Sequence, residues 1–516
     1  MESLSDTNWD VVISGTGLQQ SLLALALSRS GKNVLHVDPN DFYGAAEAAF
    51  SLQEADEWAG KNRDEPTLTP SIFAAAEVTK PATVGERGLS FPRAYSLALA
   101  PQIIHTKSEL LSQLVSSKAF RQVEFLAVGS FYIFQPSSSS SSEASTQPSL
   151  SRIPSTREDV FASTAIPTRA KRSLMKFLKF VLEYDAEPQT EAWKARAGEP
   201  LVEFLASEFK LDERLRADVM TLTLSLDGAI SVGAGLAAIH RHMTSMGLFG
   251  AGFAAVYPKW GGLSEVAQVG CRAGAVGGAV YMLGTGVTDV QKTEEERNLD
   301  PELPLGISLS NGISIRAKTL VQPAQLQTGG GDAVSLSRLT AIVSSDMSSV
   351  FEAMMDGAPT PAVAVVAFPP GCISTDGQES SKFPIYAMLH SSDTGECPTG
   401  QCVVYLSTLS TPTSKTILEK ALSSLLAAVT DSDSERPTVL YKLSYEQTSG
   451  SSTSVNVDGA VVDLPPLPLD LAFNDAVMGQ VRAAWDAVTK CDEPDGSVQY
   501  MKFEDREGAV DDDNFD

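Results

Sequence analysis

Val11-Val12-Ile13-Ser14-Gly15-Thr16-Gly17 runs into Leu18-Gln19-Gln20-Ser21-Leu22-Leu23, and after Gly31-Lys32 a second apolar run, Val34-Leu35-His36-Val37, ends on Asp38. Both runs are continuously apolar rather than alternating, which predicts strands of a sheet buried on both faces. Apolar residues at 18, 22, 23, 25 and 26 place a helix between them, so residues 10–43 predict a strand, helix, strand unit. In a dinucleotide-binding turn, G-x-G-x-x-G, the first glycine makes the bend and the second admits the pyrophosphate. The third lets the helix pack closely, and an acid about 20 residues on holds the ribose. Gly15, Gly17 and Asp38 fit this pattern, but the third place holds Gln20, a long polar side chain where the helix should press on strand and cofactor. Two readings stand at this point: a nucleotide cofactor site, or a turn that only shapes the junction of strand and helix.

The chain has 516 residues, more than one hydrophobic core ordinarily supports, so two or more domains are expected. Its 64 acidic and 39 basic side chains give a net charge of -25, which repels nucleic acid and anionic lipid headgroups. A basic protein partner stays open, while any single acid is best read as a solvated surface residue. Five cysteines, at 271, 372, 397, 402 and 491, are scattered, and the spacing of Cys397 and Cys402 is not that of a zinc knuckle. A reduced cytosolic protein is expected, with the nucleus as a second compartment. The N-terminal residues lack a basic region followed by an apolar core, and no run approaches 18 apolar residues, so neither secretion nor membrane spanning is expected. The C-terminal residues carry no prenylatable cysteine, so any lipid belongs to something the protein binds.

Farther along, Leu110, Leu111, Leu114 and Val115 have helical spacing and precede a strand-like run from Gly129 to Phe134. Residues 136–150, with six serines from Ser137, read as a disordered insertion. Helical periodicity dominates residues 155–245, with predicted helices at Lys171–Tyr184, Leu201–Phe209, Glu213–Ser225 and Val232–Met246. From Val256 the signal returns to mixed α/β, with strand-like runs at Ala279–Leu283, Ser314–Val321, Leu339–Val343, Ala362–Phe368 and Cys402–Leu406. The expected organisation is a discontinuous α/β domain, residues 1–150 and 247–430, with a helical domain, 151–246, inserted in it. Residues 431–516 are expected as a C-terminal extension with an acidic tail and one helix near Phe473–Val488.

No local constellation suggests catalysis. The five histidines are dispersed, and His240 and His242, two apart on a predicted helix, point in different directions. Neither a G-x-S-x-G elbow nor a complete Walker A loop occurs.

Three separated segments resemble one family. The first is Trp9-Asp10-Val11-Val12-Ile13-Ser14-Gly15-Thr16-Gly17-Leu18 with Lys32 to Gly44, including Val37-Asp38-Pro39-Asn40-Asp41-Phe42-Tyr43. The second is Tyr257-Pro258-Lys259-Trp260-Gly261-Gly262-Leu263-Ser264-Glu265-Val266-Ala267-Gln268, continuing through Arg272 to Met282, and the third is residues 96–134. In order and spacing they are similar to the superfamily of Rab GDP-dissociation inhibitors and Rab escort proteins. The resemblance covers most of the first 325 residues and is far more specific than the glycine turn.

That resemblance implies an α/β fold of the FAD/NAD(P)-binding, monooxygenase-like type, discontinuous, with an inserted all-α domain, and no redox activity, cofactor or metal. Gly15, Gly17 and Asp38 then form a vestigial turn. Carried over by position, Tyr43, Glu265, Gln268, Arg272 and Met282 are expected to form a surface that grips GDP-bound Rab. Lys259-Trp260 and Leu263-Ser264 depart from the inhibitors' Leu-Tyr and Leu-Gly, so the rim of that surface is expected to differ. The serine insertion, the length and the acidic tail favour the escort branch of fungal type, the accessory component A of Rab geranylgeranyltransferase. A second partner is then the transferase α/β heterodimer, contacted through the helical domain, with His240–Phe249 as a candidate patch. The geranylgeranyl groups of the Rab are the lipid to be shielded, with Phe177, Leu178 and Val181 as candidate lining, and membranes are met only in delivery. The alternatives are a GDP-dissociation inhibitor that extracts and recycles Rabs, and an FAD-dependent oxidoreductase.

Overall fold

A strand buried on both faces needs helices above and a second layer below, and the computed structural model supplies both. It describes residues 4–63, 71–81, 88–137, 147–154, 160–161, 166–292, 303–324, 334–353, 357–375, 379–430, 436–450, 452–490 and 499–503. Most of the serine run, Cys491 and the acidic tail lie outside these residues.

β1 (Asn8–Ser14), α1 (Leu18–Arg29) and β2 (Val34–Val37) form the expected unit, with Val11 opposite Val34 in parallel register. Beyond β2 lies β3 (Val280–Met282), the open edge of the sheet, with Met282 opposite Val37. Beyond β1 lies β4 (Ser314–Pro323), with Ile13 opposite Val321, and then β5 (Val461–Leu464) along the second half of β4. All five strands run parallel, and an antiparallel meander of Val287–Lys292 and Leu305–Leu309 pairs with the first half of β4. Val11, Ile13 and Val34 face a core shared with α1, α2 (Leu263–Val276) and α3 (Ala476–Thr489). Val12, Leu35 and Val37 face the meander on the other side. Every residue of α1 from Leu18 to Ser28 is buried, the polar Gln19, Gln20, Ser21 and Ser28 included, because neighbours cover the helix on all sides.

The second sheet is mixed and larger. Its order is Phe73–Thr79, Val439–Thr448, Ser335–Val343, Cys402–Leu409, Ile385–His390, Val363–Phe368, Phe125–Gln135, Ala255–Pro258 and Ile104–His105. The helices Thr168–Leu182, Gln189–Lys194, Leu201–Glu208, Glu213–Leu222 and Val232–Ser245 pack around Phe177, Val181, Phe204 and Leu236 as a core of their own. Phe177 and Val181, expected as lining of a lipid groove, are fully sealed in that core, and only Leu178 reaches its margin.

The described residues between 436 and 490, expected as part of a C-terminal extension, are instead built into both sheets and the helical layer. Val439–Thr448 lies between two strands of the second sheet, β5 completes the parallel sheet, and α3 packs on α1. The Ser-, Pro- and Asp-rich connections dominate the composition there and hide the alternation of Tyr441, Leu443 and Tyr445, all buried. Among the described residues no helix is long and apolar enough to cross a membrane, no cluster of His, Cys, Asp or Glu could hold a metal, and the four described cysteines are free thiols.

Candidate functional site

The glycine turn is closed from within. Gly15 takes φ +88°, a conformation glycine adopts without cost, and lets β1 bend into α1. Thr16 donates to Asp38 Oδ2 through both its backbone N–H, at 2.6 Å, and its hydroxyl, at 2.7 Å. The other Asp38 oxygen accepts from the Asn40 backbone at 2.8 Å and side chain at 2.9 Å. Thr16 in turn accepts the Gly44 N–H, at 3.1 Å on its carbonyl and 3.2 Å on its hydroxyl. The chain of contacts Asp38, Thr16, Gly44 therefore fixes the loop that carries Tyr43. Gly44 has φ +96°, and a Cβ there would lie 3.2 Å from Ser264 Oγ, so the loop sits directly against the start of α2.

The residues present do not fit a dinucleotide. Its pyrophosphate would lie on the first N–H groups of α1, where anions are favoured. Glu47 is there instead: its buried carboxylate accepts the Leu18 N–H at 3.1 Å, and burial pushes its carboxyl up to about 7. Gln20 folds back over Gly17, its Oε1 2.9 Å from where a Cβ on Gly17 would stand. Asp38, the expected ribose ligand, is fully buried with both oxygens committed to the turn. The Leu18 N–H that a pyrophosphate would use is therefore already taken by Glu47.

α2 presents its outer face at helical spacing. Val266, Ala267, Val269, Gly270, Ala273 and Gly274 are buried. Glu265 and Gln268 are half-buried, and Arg272 and Val276 are exposed, so the stripe 265, 268, 272, 276 faces outward. Arg272 Nη2 lies 2.6 Å from Glu265 Oε1, and the Gln268 amide donates to Ser264 Oγ at 3.4 Å. The buried face has no slack, because a Cβ on Gly270 would lie 3.3 Å from the Ser21 carbonyl oxygen of α1 and one on Gly274 3.5 Å from the Leu25 backbone. Tyr43 borders this stripe. Burial raises its phenol above the ordinary range, the Cys271 thiol adds to the rise, and the Arg272 guanidinium opposes it.

Of the five expected surface residues the fold therefore brings four together: Tyr43, Glu265, Gln268 and Arg272. Met282 stands apart, half-buried on edge strand β3 and packed with the meander-side cluster that includes Leu35 and Val37. Its neighbour Tyr281 faces α2 instead, with its ring 5.0 Å from His36. Strand alternation dictates this split. The candidate patch His240–Phe249 divides as well: His242 is buried, while Leu248 and Phe249 project at 55% and 59% exposure.

Sequence reading did not find what anchors α2. Gly262, with φ +67°, precedes the helix, and a Cβ on it would lie 2.6 Å from the Tyr257 hydroxyl oxygen. Tyr257 is fully buried and donates to Glu396 Oε1 at 2.7 Å. Glu396 Oε2 accepts from the Tyr405 hydroxyl at 2.8 Å and lies 2.7 Å from His390 Nδ1. Burial and the neighbouring Glu396 carboxylate raise both phenols well above their ordinary range. Trp260, flagged as a departure at the rim, is 53% exposed at φ +71°, with Lys259 5.1 Å over its ring.

The arrangement offers no nucleophile and base pair, no free acid pair and no metal set among the described residues. It offers a helix face carrying a cation, an anion and an amide, bordered by the Tyr43 phenol and by exposed Trp260. That composition suits protein recognition.

Residues 5–435 match the family model described as GDP dissociation inhibitor. The chain is 29% identical over 404 residues to Rab proteins geranylgeranyltransferase component A of Saccharomyces cerevisiae, covering 77% of this chain and 61% of that one. It is 30% identical over 442 residues to the protein of the same name from Candida albicans, covering 83% and 64%. The match thus spans somewhat under two thirds of the length of these relatives. Among solved structures, a Rab GDI from Plasmodium falciparum superposes with a TM-score of 0.64 at 17% identity, covering 93% of this chain and 98% of the other. An oxidoreductase from Methanosarcina mazei superposes with a TM-score of 0.57 at 13% identity, covering 93% and 100%, so the two chains share a fold. The chain belongs to the GDP dissociation inhibitor family.

Proposed function

We propose that this protein is a Rab escort protein, a non-catalytic accessory component of Rab geranylgeranyltransferase. It holds newly made GDP-bound Rab against the outer face of α2, with Tyr43, Glu265, Gln268 and Arg272 as the gripping residues and Met282 at the sheet edge. It offers the Rab's C-terminal cysteines to the transferase α/β heterodimer and shields the geranylgeranyl groups until delivery to a membrane. The observation that carries this reading is the outward stripe of α2, rigidly backed by α1 and bordered by Tyr43, in a chain whose relatives are named as component A of that transferase. Shielding is needed because each buried methylene contributes about 0.8 kcal/mol, which makes a free C20 chain in water costly.

The test is reconstitution. Purified protein, unprenylated Rab, transferase and geranylgeranyl diphosphate should yield lipidated Rab only when all four are present, and no transfer overturns the escort reading. Extraction of Rab from membranes without support of prenylation would mark an inhibitor instead, the reading favoured by the family's own description. The Glu47 carboxylate at the α1 N-terminus argues against the flavin oxidoreductase.

A further inference from the structure

Beneath the glycine turn, between the two sheets, lies a cavity of about 740 Å³. That volume is within the roughly 300–1,000 Å³ of small-molecule sites. Its lining includes the apolar run Leu464-Pro465-Pro466-Leu467-Pro468-Leu469 and the polar side chains of Arg338, Gln447 and Gln20. Two lining residues are ionisable, Arg338 and Glu47. Glu47 is engaged by the Leu18 N–H and its carboxyl is pushed up to about 7, so the fixed charge belongs to Arg338.

Arg338 is 3% exposed and has no carboxylate partner among the described residues. Its Nε donates to Gln447 Oε1 at 2.6 Å and its Nη1 to Ser407 Oγ at 3.1 Å, both neutral acceptors. A guanidinium carries five N–H donors, so part of the fork is left for another acceptor. Because Gln447 turns its oxygen to Arg338, its amide nitrogen is a further donor in the same lining. Gln20, 7% exposed, brings another amide side chain to the lining. A buried cation without a counter-charge, in a cavity lined also by amide side chains and an apolar run, is an arrangement that proteins ordinarily complete with an anion.

We propose that this cavity binds a small amphiphilic anion, its carboxylate or phosphate on Arg338 and Gln447 and its apolar part along residues 464–469. The site is distinct from the α2 face and does not depend on the escort function. It also differs from a dinucleotide site, since the anion sits on Arg338 and leaves the α1 N-terminus to Glu47.

Calorimetric titration of the full chain with decanoate, decyl phosphate and 1-decanol tests this. One of the two anions should bind with 1:1 stoichiometry at least about tenfold more tightly than the alcohol, and which of them does so identifies the headgroup. Arg338→Met should remove that advantage while leaving the alcohol unchanged. Should that variant fail to fold, Ala324→Trp, a half-buried lining position, fills the cavity and should abolish binding of both anions. Equal affinity for anion and alcohol, or unchanged anion binding by Ala324→Trp, overturns the proposal. Rab-dependent prenylation by Ala324→Trp should match that of the unaltered chain, which keeps this test separate from the escort reading.

Discussion

The Tyr257 hydroxyl donates a 2.7 Å hydrogen bond to the Glu396 carboxylate across 139 residues of sequence, and both side chains are fully buried. This contact ties the strand that leads into α2 to the centre of the second sheet. Removing one partner strands a buried polar group, at a cost of about 1–3 kcal/mol. Tyr257→Phe should lower the unfolding free energy measured in urea by that amount, and Glu396→Ala, which leaves two phenols and His390 without their acceptor, should lower it further. Equal stability of Tyr257→Phe and the unaltered chain would show that the contact contributes nothing.

Arg272→Glu places a second acid beside Glu265 on the exposed face of α2. The ion pair it breaks is solvent-screened, so stability should change by no more than about 1 kcal/mol. Affinity for GDP-bound Rab, measured by fluorescence titration, should fall about tenfold or more through lost charge complementarity. Unchanged affinity would remove Arg272 from the proposed gripping surface.

Gly270→Leu drives a side chain into the Ser21 backbone, where even a Cβ would be 3.3 Å from the carbonyl oxygen. Overpacking of this kind costs typically about 1–3 kcal/mol. Thermal unfolding should report the loss, and Rab affinity should fall with it because α2 must move outward. A variant as stable as the original would mean that the seam between α1 and α2 is looser than its geometry.

Glu47 gives a pH signature. Its carboxyl ordinarily titrates near 4.5 and here near 7, so between these values the folded chain holds a proton that the unfolded chain has lost. Its contribution to stability is therefore most favourable below 4.5, declines as pH rises through this window and levels off above it. Glu47→Gln keeps an acceptor for the Leu18 N–H without the charge, and should be more stable than the original at pH 8 by up to about 3 kcal/mol. The difference should vanish near pH 4.5. A difference independent of pH would show that Glu47 is not protonated on folding.

The parallel sheet and its first helix were legible because continuous apolar runs, Gly15 and a 3.6-residue period are local signals. The outward stripe of α2 was legible only through resemblance, since Glu265 and Arg272 have the spacing of any solvated helix face. Met282 was grouped with them on the same ground, and strand alternation, which turns it to the other side of the sheet, separates it. What stayed hidden was long-range. Glu47 reaches back 29 residues to cap α1, Glu396 lies 139 residues from Tyr257, and Val439–Thr448 enters a sheet whose other strands begin at Phe73. Chemistry assembled by tertiary packing leaves no periodic trace in the chain.

The glycine seam beneath α2 bears on the thermodynamics of recognition. A helix whose inner side already touches backbone at Ser21 and Leu25 has little conformational freedom left to lose. The entropy spent when a partner docks therefore falls mainly on that partner's mobile segments. A GTPase whose contact loops are already ordered would bind with less loss, so the stiffness of this face makes it a sensor of order in whatever it meets.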